Sequence, residues 1–290
     1  MKKILAFLLA AVLAASCVAC QSGGDTSSAA GGNASDTTSQ ADTSWDKVKE
    51  KGKLVLGLDD AFPPMGYVDE ATGDLVGFDI DVAKEVCKRL EIELELQPID
   101  WNNKTAEMSN GNVDCLWNGF SWTEERDQEF NLSTPYMKNN QIILVKADSS
   151  YDGLASLAGK TIGVQADSSA ESALNSDENA DFKNSLAQVV QIDDYAKAVL
   201  EIQNGTIDAI AIDEVVARFY LKNNPGAYKV LQEAGKDATL AVEDYVIGFR
   251  KGEDALKEKV EGTLKEMADD GTLTKISEQW FETDVTTVGK

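Results

Sequence analysis

The chain has 290 residues, 50 acidic against 27 basic side chains and a formal net charge of −23, with four cysteines and no histidine. A balance this acidic argues against nucleic acid and against an anionic lipid surface as partners, because both would repel it. The missing histidine excludes a Ser-His-Asp triad and an HExxH zinc site. The length suits two compact units.

Lys2 and Lys3 precede an uninterrupted apolar run, Ile4–Ala15, too short to stay in a bilayer as a spanning helix. The run predicts a signal peptide. The small residues Ala14, Ala15 and Ser16 then lead to Cys17, and the whole segment resembles a bacterial lipoprotein signal, in which such a cysteine becomes the lipid-bearing N-terminus. Cys17 is the expected lipidation site, with Cys20 as the rival. Residues 18–44 contain almost nothing that could enter a core and predict a flexible tether, with a reach on the order of 25–30 Å. Of the other two cysteines, Cys87 falls on the apolar side of a predicted helix and Cys115 in a predicted buried strand. Two separated cysteines without histidine do not make a zinc site. A disulfide is open to them in this compartment, but the expectation is two buried thiols.

Ser44 is the expected N-cap of a short helix, Trp45–Glu50. Lys53–Leu58 is a mostly apolar strand that runs into Asp59, Asp60 and the Pro63–Pro64 pair, where a central strand must stop. A hairpin around Asp69–Gly73 follows. Next comes GFDIDVAKEVCKRL, Gly77–Leu90, an amphipathic helix with Asp79 as the expected cap. Ile92–Gln97 alternates like a strand and ends near Trp101, Thr105–Ser109 is helical, and Val113–Leu116 is a buried strand. The second half repeats the alternation: strands Gln141–Lys146, Thr161–Val164, Val189–Ile192, Ile207–Ile212 and Asp244–Arg250, and helices Ala170–Leu174, Asp194–Gln203, Glu214–Leu221, Asp254–Asp270 and Leu273–Phe281. Residues 283–290 are expected to be a disordered tail. The halves share a phrase, NGNVDCLW and NGTIDAIA. Strand and helix in alternation predict an α/β architecture with mainly parallel sheets, and such sheets bind ligands beyond the carboxyl ends of their strands.

Phe62, Trp101 and the stretch Trp117–Arg126, WNGFSWTEER, all lie at such ends. In that stretch Thr123 can cap a helix starting at Glu124. Ser121 adds a hydroxyl, and Arg126 adds a planar fork able to grip a carboxylate with two bonds. Together they predict a seat for the carboxylate of a free amino acid.

From GFDIDVAKEVCKRL onward the chain resembles the family 3 bacterial solute-binding proteins, the amino-acid-binding subunits of ABC importers. NGFSWTEER, IGVQADSSAES, IDAIAIDE and DGTLTKISEQWF carry the likeness in order through Phe281. The resemblance implies two α/β lobes of type II arrangement joined by two crossing segments. Lobe 1 would comprise 45–138 and 245–282, and lobe 2 would comprise 139–244, with the ligand enclosed between them. It implies that Arg126 pairs with the α-carboxylate, helped by Ser121, the Gly119 backbone, Ser168 and Ser169, and that Asp213 takes the α-ammonium. Phe62 and Trp101 would sandwich the ligand's stem. Asp59, Asn118 and Gln165 would meet a side chain, for which a polar one fits best. A buried zwitterion needs both its charges paired, and one arginine with one aspartate is the minimal set. The implied protein is a lipid-anchored monomer without cofactor, metal or catalytic residue, serving an ABC permease. Two alternatives stand beside it: an enzyme on the same fold such as a dehydratase of cyclic amino acids, which no residue here requires and for which Asp59 or Asp60 is an example of a non-standard catalyst, and a ligand sensor for a separate receptor.

Overall fold

The computed structural model describes residues 41–290. The signal peptide, Cys17 and most of the tether lie outside the described residues. The last of the tether is not loose: the Asp42 carboxylate accepts the Ala255 N–H at 2.5 Å and the Ser44 N–H at 2.8 Å. An acid beside the first N–H groups of a helix is held there by unpaired donors and by the helix dipole. Ser44 is itself the first residue of helix α1 (Ser44–Lys51) and not its cap, and its buried hydroxyl accepts from Leu256 N.

Strand β1 (Lys53–Leu58) leads to a small three-stranded sheet made of Ala61–Phe62, Gly66–Val68 and Leu75–Val76. Helix α2 (Phe78–Arg89) turns Ile80, Ala83, Val86 and Cys87 inward. Its cap is Gly77, and Asp79 lies fully buried inside the first turn, contrary to expectation. Strand β2 (Glu93–Pro98), strand β3 (Cys115–Ser121) and helix α3 (Glu124–Glu129) follow. The second half contains β4 (Met137–Lys146), β5 (Thr161–Gln165), α4 (Ser169–Asn175), β6 (Gln188–Ile192) and α5 (Tyr195–Asn204). Then come β7 (Ala209–Asp213), α6 (Glu214–Asn223), β8 (Thr239–Arg250), α7 (Asp254–Asp269) and α8 (Thr272–Phe281).

The main sheet runs β6-β5-β7-β4-β8-β3-β1-β2. At one end β3, β1 and β2 are parallel, and at the other β6, β5 and β7 are parallel. These are the expected α/β layers. Between them β4 and β8 pair antiparallel, with Met137 opposite Tyr245 and Asn139 opposite Glu243, and each also borders one parallel set. Two long crossing strands therefore fuse both layers into one continuous sheet.

The shared phrase has a structural reason. Asp114 accepts the N–H of Val55 in β1 at 2.7 Å, and Asp208 accepts the N–H of Thr161 in β5 at 3.0 Å. In each half an aspartate just ahead of one parallel strand ties down the start of its neighbour, after a glycine in left-handed conformation ends the preceding helix.

Two further expectations change in detail. Strand β3 extends through Ser121, well past Leu116, and is buried at every position. Burying a side chain as large as Trp117 or Phe120 contributes about 1.5–3 kcal/mol, which outweighs the turn preference of Asn118 and Gly119. The C-terminal residues are docked: Thr286 bridges to Met137, Thr287 N donates to Tyr136 O at 2.8 Å, and Val285 and Val288 lie against the core. Short apolar contacts without periodicity give no local signal. Cys87 and Cys115 are buried free thiols, and burial pushes the Cys87 thiol up to about 12.

Candidate functional site

Strands β1, β3, β5 and β7 deliver their C-terminal ends to one region. Asp59 and Phe62 follow β1, Ser121 ends β3, Gln165 ends β5 ahead of Asp167–Ser169, and Asp213 ends β7. Thr123 caps α3 by accepting Arg126 N at 3.1 Å. This turn brings the Arg126 guanidinium back over the Phe120 ring, 4.4 Å from its centroid, with one N–H to Ser121 O at 2.9 Å. Another N–H reaches Asp167 O at 3.4 Å, across to the loop after β5. A guanidinium has five N–H groups, so three remain among the described residues. Burial lowers the Arg126 pKa, while the carboxylates of Glu243, Asp167 and Asp213 act in the opposite direction.

Asp213 is almost wholly enclosed. Its Oδ1 accepts from Asn139, Gln141 and Tyr245, each at 2.7 Å, and its Oδ2 from the Tyr195 hydroxyl at 3.2 Å. Burial raises its pKa, and the nearby Glu243 carboxylate raises it further. The Ser121 and Ser169 hydroxyls are 3.0 Å apart, and Gln141 Nε2, which donates to Asp213, also donates to Ser169 Oγ at 3.1 Å. Ser168 is used differently: its hydroxyl caps α4 by accepting Glu171 N.

Beside this group, Asp59 Oδ2 accepts from Gln165 Nε2 at 2.6 Å, Asp59 Oδ1 from Ala61 N at 2.9 Å, and Asn118 Oδ1 from Asp59 N at 3.0 Å. Burial pushes the Asp59 carboxyl up to about 6. Phe62 lies 5.7 Å from the Tyr195 ring. Trp101 is edge-on to Phe120 at 5.8 Å, so it backs the ring that carries Arg126. The Gly119 N–H is already donated to Asp79 Oδ2 at 2.7 Å, which leaves only its carbonyl for the predicted backbone contact. At φ +57° and with Phe62 2.7 Å from where a Cβ would sit, that position requires glycine.

Six residues of the cluster were not foreseen: Lys104, Asn139, Gln141, Tyr195, Glu243 and Tyr245. The buried Lys104 ammonium pairs with the Asp167 carboxylate and donates to Asp167 O at 2.9 Å. Burial, and then the Arg126 charge, pull its pKa down to about 8. Tyr195 follows a strand's C-terminal end, as Phe62 and Trp101 do, and that signal could have found it. A separate cavity of about 680 Å³ beside Lys138–Asn140, lined by Arg218, Lys222 and Trp280, contains none of the predicted site residues.

Two α/β layers whose strand ends gather at one polar cluster, fused by a pair of crossing strands, define a two-lobed fold. The chain belongs to the bacterial extracellular solute-binding proteins, family 3, whose model matches residues 54–283. It is 31% identical over 287 residues to the L-cystine-binding protein TcyA of Bacillus subtilis, covering 98% of this chain and 99% of that one. It is 32% identical over 237 residues to the arginine-binding extracellular protein ArtP of the same organism, covering 80% and 87%. A substrate-binding protein of an ABC uptake transporter from Streptococcus pneumoniae, solved with bound histidine, superposes with a TM-score of 0.79 at 33% identity, covering 85% of this chain and 98% of that one. The fold is the two-lobed, type II arrangement of these proteins.

Proposed function

We propose that the cleft binds a free L-amino acid and that the protein delivers it to an ABC importer. One observation carries this reading: a buried arginine, bonded to the Ser121 carbonyl and with three N–H groups unused among the described residues, is linked to a buried aspartate through the Ser121 and Ser169 hydroxyls and Gln141 Nε2, which donates to both Ser169 Oγ and Asp213 Oδ1. Arg126 holds the carboxylate, with the Ser121 and Ser169 hydroxyls turning to it from Glu243 and from each other, Asp213 holds the ammonium, and Phe62 lies along the stem. Asp59, Asn118 and Gln165 favour a polar side chain, in keeping with relatives that bind cystine, arginine and histidine. The lobes are 45–138 with 245–282 and 139–244, divided where Asn139 faces Glu243. Lipid on Cys17 would hold a monomer at the outer face of the membrane, which detergent phase partition of the mature protein tests.

The test is a thermal-shift screen of the twenty L-amino acids and cystine. A ligand at one hundred times its dissociation constant adds about 2.7 kcal/mol to the folded state, and one or a few compounds should raise the melting temperature by several degrees. If none does, the reading fails. Recovery of the bound compound unchanged separates a carrier from a dehydratase.

Lys104 and Asp167 fasten the two lobes together. Lys104→Met should speed ligand dissociation about three- to tenfold at pH 7 in stopped-flow measurements, the modest effect of a pair with one exposed partner. The folded pKa of about 8 lies below the ordinary 10.5, so the buried charge opposes folding. Stability therefore rises with pH between about 8 and 10.5 as the proton leaves, while the interlobe pair is lost. At pH 9.5 the wild type should release ligand nearly as fast as the variant.

A further inference from the structure

Glu243 belongs to the crossing strand β8, and its side chain reaches the head-group cluster. Oε2 accepts from Ser121 Oγ at 2.8 Å, from Gln141 Nε2 at 3.0 Å and from Asn139 Nδ2 at 3.3 Å. The same two amide nitrogens also donate to Asp213 Oδ1. The two carboxylate oxygens are thus within about 6 Å of each other, bridged by neutral amides. Asp213 is buried and Glu243 half-buried, so two acids this close repel; among the described residues neither forms a salt bridge, and the nearest cation whose charge they act on is Arg126.

The cluster is also short of hydrogens. Gln141 Nε2 has two N–H groups and three acceptors within reach, namely Asp213, Glu243 and Ser169. The carbonyl oxygens of the same two amides, Gln141 Oε1 and Asn139 Oδ1, are buried with no donor. A buried acceptor left without a donor costs about 1–3 kcal/mol. What would satisfy this cluster is a cation with several N–H groups.

Asp213 alone is a poor seat for such a cation. Its Oδ1 already accepts three hydrogen bonds, which leaves chiefly Oδ2. A primary ammonium has three hydrogens to place. Glu243 offers acceptor capacity on the other side, and it touches Ser121, where the proposed carboxylate seat begins. In an α-amino acid the two charged groups share one carbon, so adjoining seats are what the ligand requires.

We propose that Glu243 is the second carboxylate of the ammonium seat, gripping the ligand's α-amino group together with Asp213. The inference rests on the amino-acid reading of the cleft and adds a specificity-determining residue to it. It also gives the crossing strand a direct hold on the ligand. Asp213 ends a strand of lobe 2, whereas Glu243 sits where the lobes divide, so an ammonium shared by both ties the ligand to the hinge itself.

The test is calorimetric titration of wild type and Glu243→Gln with the amino acid giving the largest thermal shift, and with the α-hydroxy acid of the same side chain. Glu243→Gln keeps the shape and loses the charge, and its ligand-free melting temperature controls for folding. The expected result is a 10- to 100-fold weaker amino acid complex, with the hydroxy acid changed by no more than about threefold. Asp213→Asn combined with Glu243→Gln should lose less than the product of the two single losses, because both acids act on one group. Unchanged or tighter binding of the amino acid by Glu243→Gln overturns the proposal, the tighter case meaning that Glu243 competes with the ligand's carboxylate. An equal loss for both compounds also overturns it. If the wild type binds no amino acid, the amino-acid reading is what fails.

Discussion

Arg126→Ala should weaken amino acid binding by about 10²–10³-fold in calorimetric titration. Removing one partner of a buried, hydrogen-bonded charge pair costs about 2–5 kcal/mol, and each 1.4 kcal/mol is a factor of ten. The low end of that range does not apply because the guanidinium has no substitute. Lys104 is already committed to Asp167, and Ser121 and Ser169 supply only neutral donors. The carboxylate would then be enclosed by two lobes with no cation against it. Arg126 also joins Ser121 O to Asp167 O across the cleft, so its loss loosens closure as well as the seat. Arg126→Lys separates the two contributions. It keeps the charge but not the planar fork lying on Phe120, and should lose about tenfold. Binding by Arg126→Ala within threefold of wild type would remove Arg126 from the carboxylate seat.

The positions of Ser121 and Arg126 were singled out from the local pattern, and those of Ser169 and Asp213 from the family resemblance. Each sits at or just past the carboxyl end of a strand whose apolar run is plain, and a parallel sheet gathers those ends along one edge. Thr123 was legible as a cap because the capping bond closes within four residues. Glu243, Gln141 and Asn139 were not. A polar residue in a strand looks like a solvent-facing position, and what turns these three inward is the pairing of Asn139 with Glu243, 104 positions later in the chain. Register between distant strands leaves no local pattern. The same applies to Asp79: the first turn of a helix suggested a cap, but its carboxylate holds Gly119 N and the Tyr136 hydroxyl, and burial pushes its pKa up to about 7. Lys104, at the start of a short helix, was not singled out, because the Asp167 it pairs with follows a strand of the other parallel layer. The elements were therefore readable from local period and punctuation, whereas half of the polar cluster depends on where those elements meet.

Gly77→Ala should be the most damaging small substitution in lobe 1, lowering stability by about 3–5 kcal/mol and the melting temperature by about 10 °C. Gly77 has φ +153°, which L side chains rarely adopt, and its missing Cβ would fall 2.1 Å from Met65 O and 2.5 Å from Met65 C. Those are backbone atoms, so no rotamer change relieves the overlap. The carbonyls involved are also needed: Phe78 N donates to Pro64 O at 2.8 Å and Asp79 N to Met65 O at 3.1 Å, which is how the first turn of α2 is satisfied without a side-chain cap. Forcing this loop away exposes those donors beside Met65 and Phe78, both fully buried. Binding should suffer with stability, since the loop being displaced carries Phe62, and Asp79 in the adjoining turn fixes Gly119. Gly262→Ala is the contrast. That glycine lies within α7 with nothing within 4 Å of its virtual Cβ, and alanine there should add about 0.5–1 kcal/mol by helix propensity alone. Denaturant unfolding of both variants measures the difference. If Gly77→Ala unfolds at the wild-type midpoint, the loop from Phe62 to Gly66 yields at little cost, and α2 does not depend on its carbonyls.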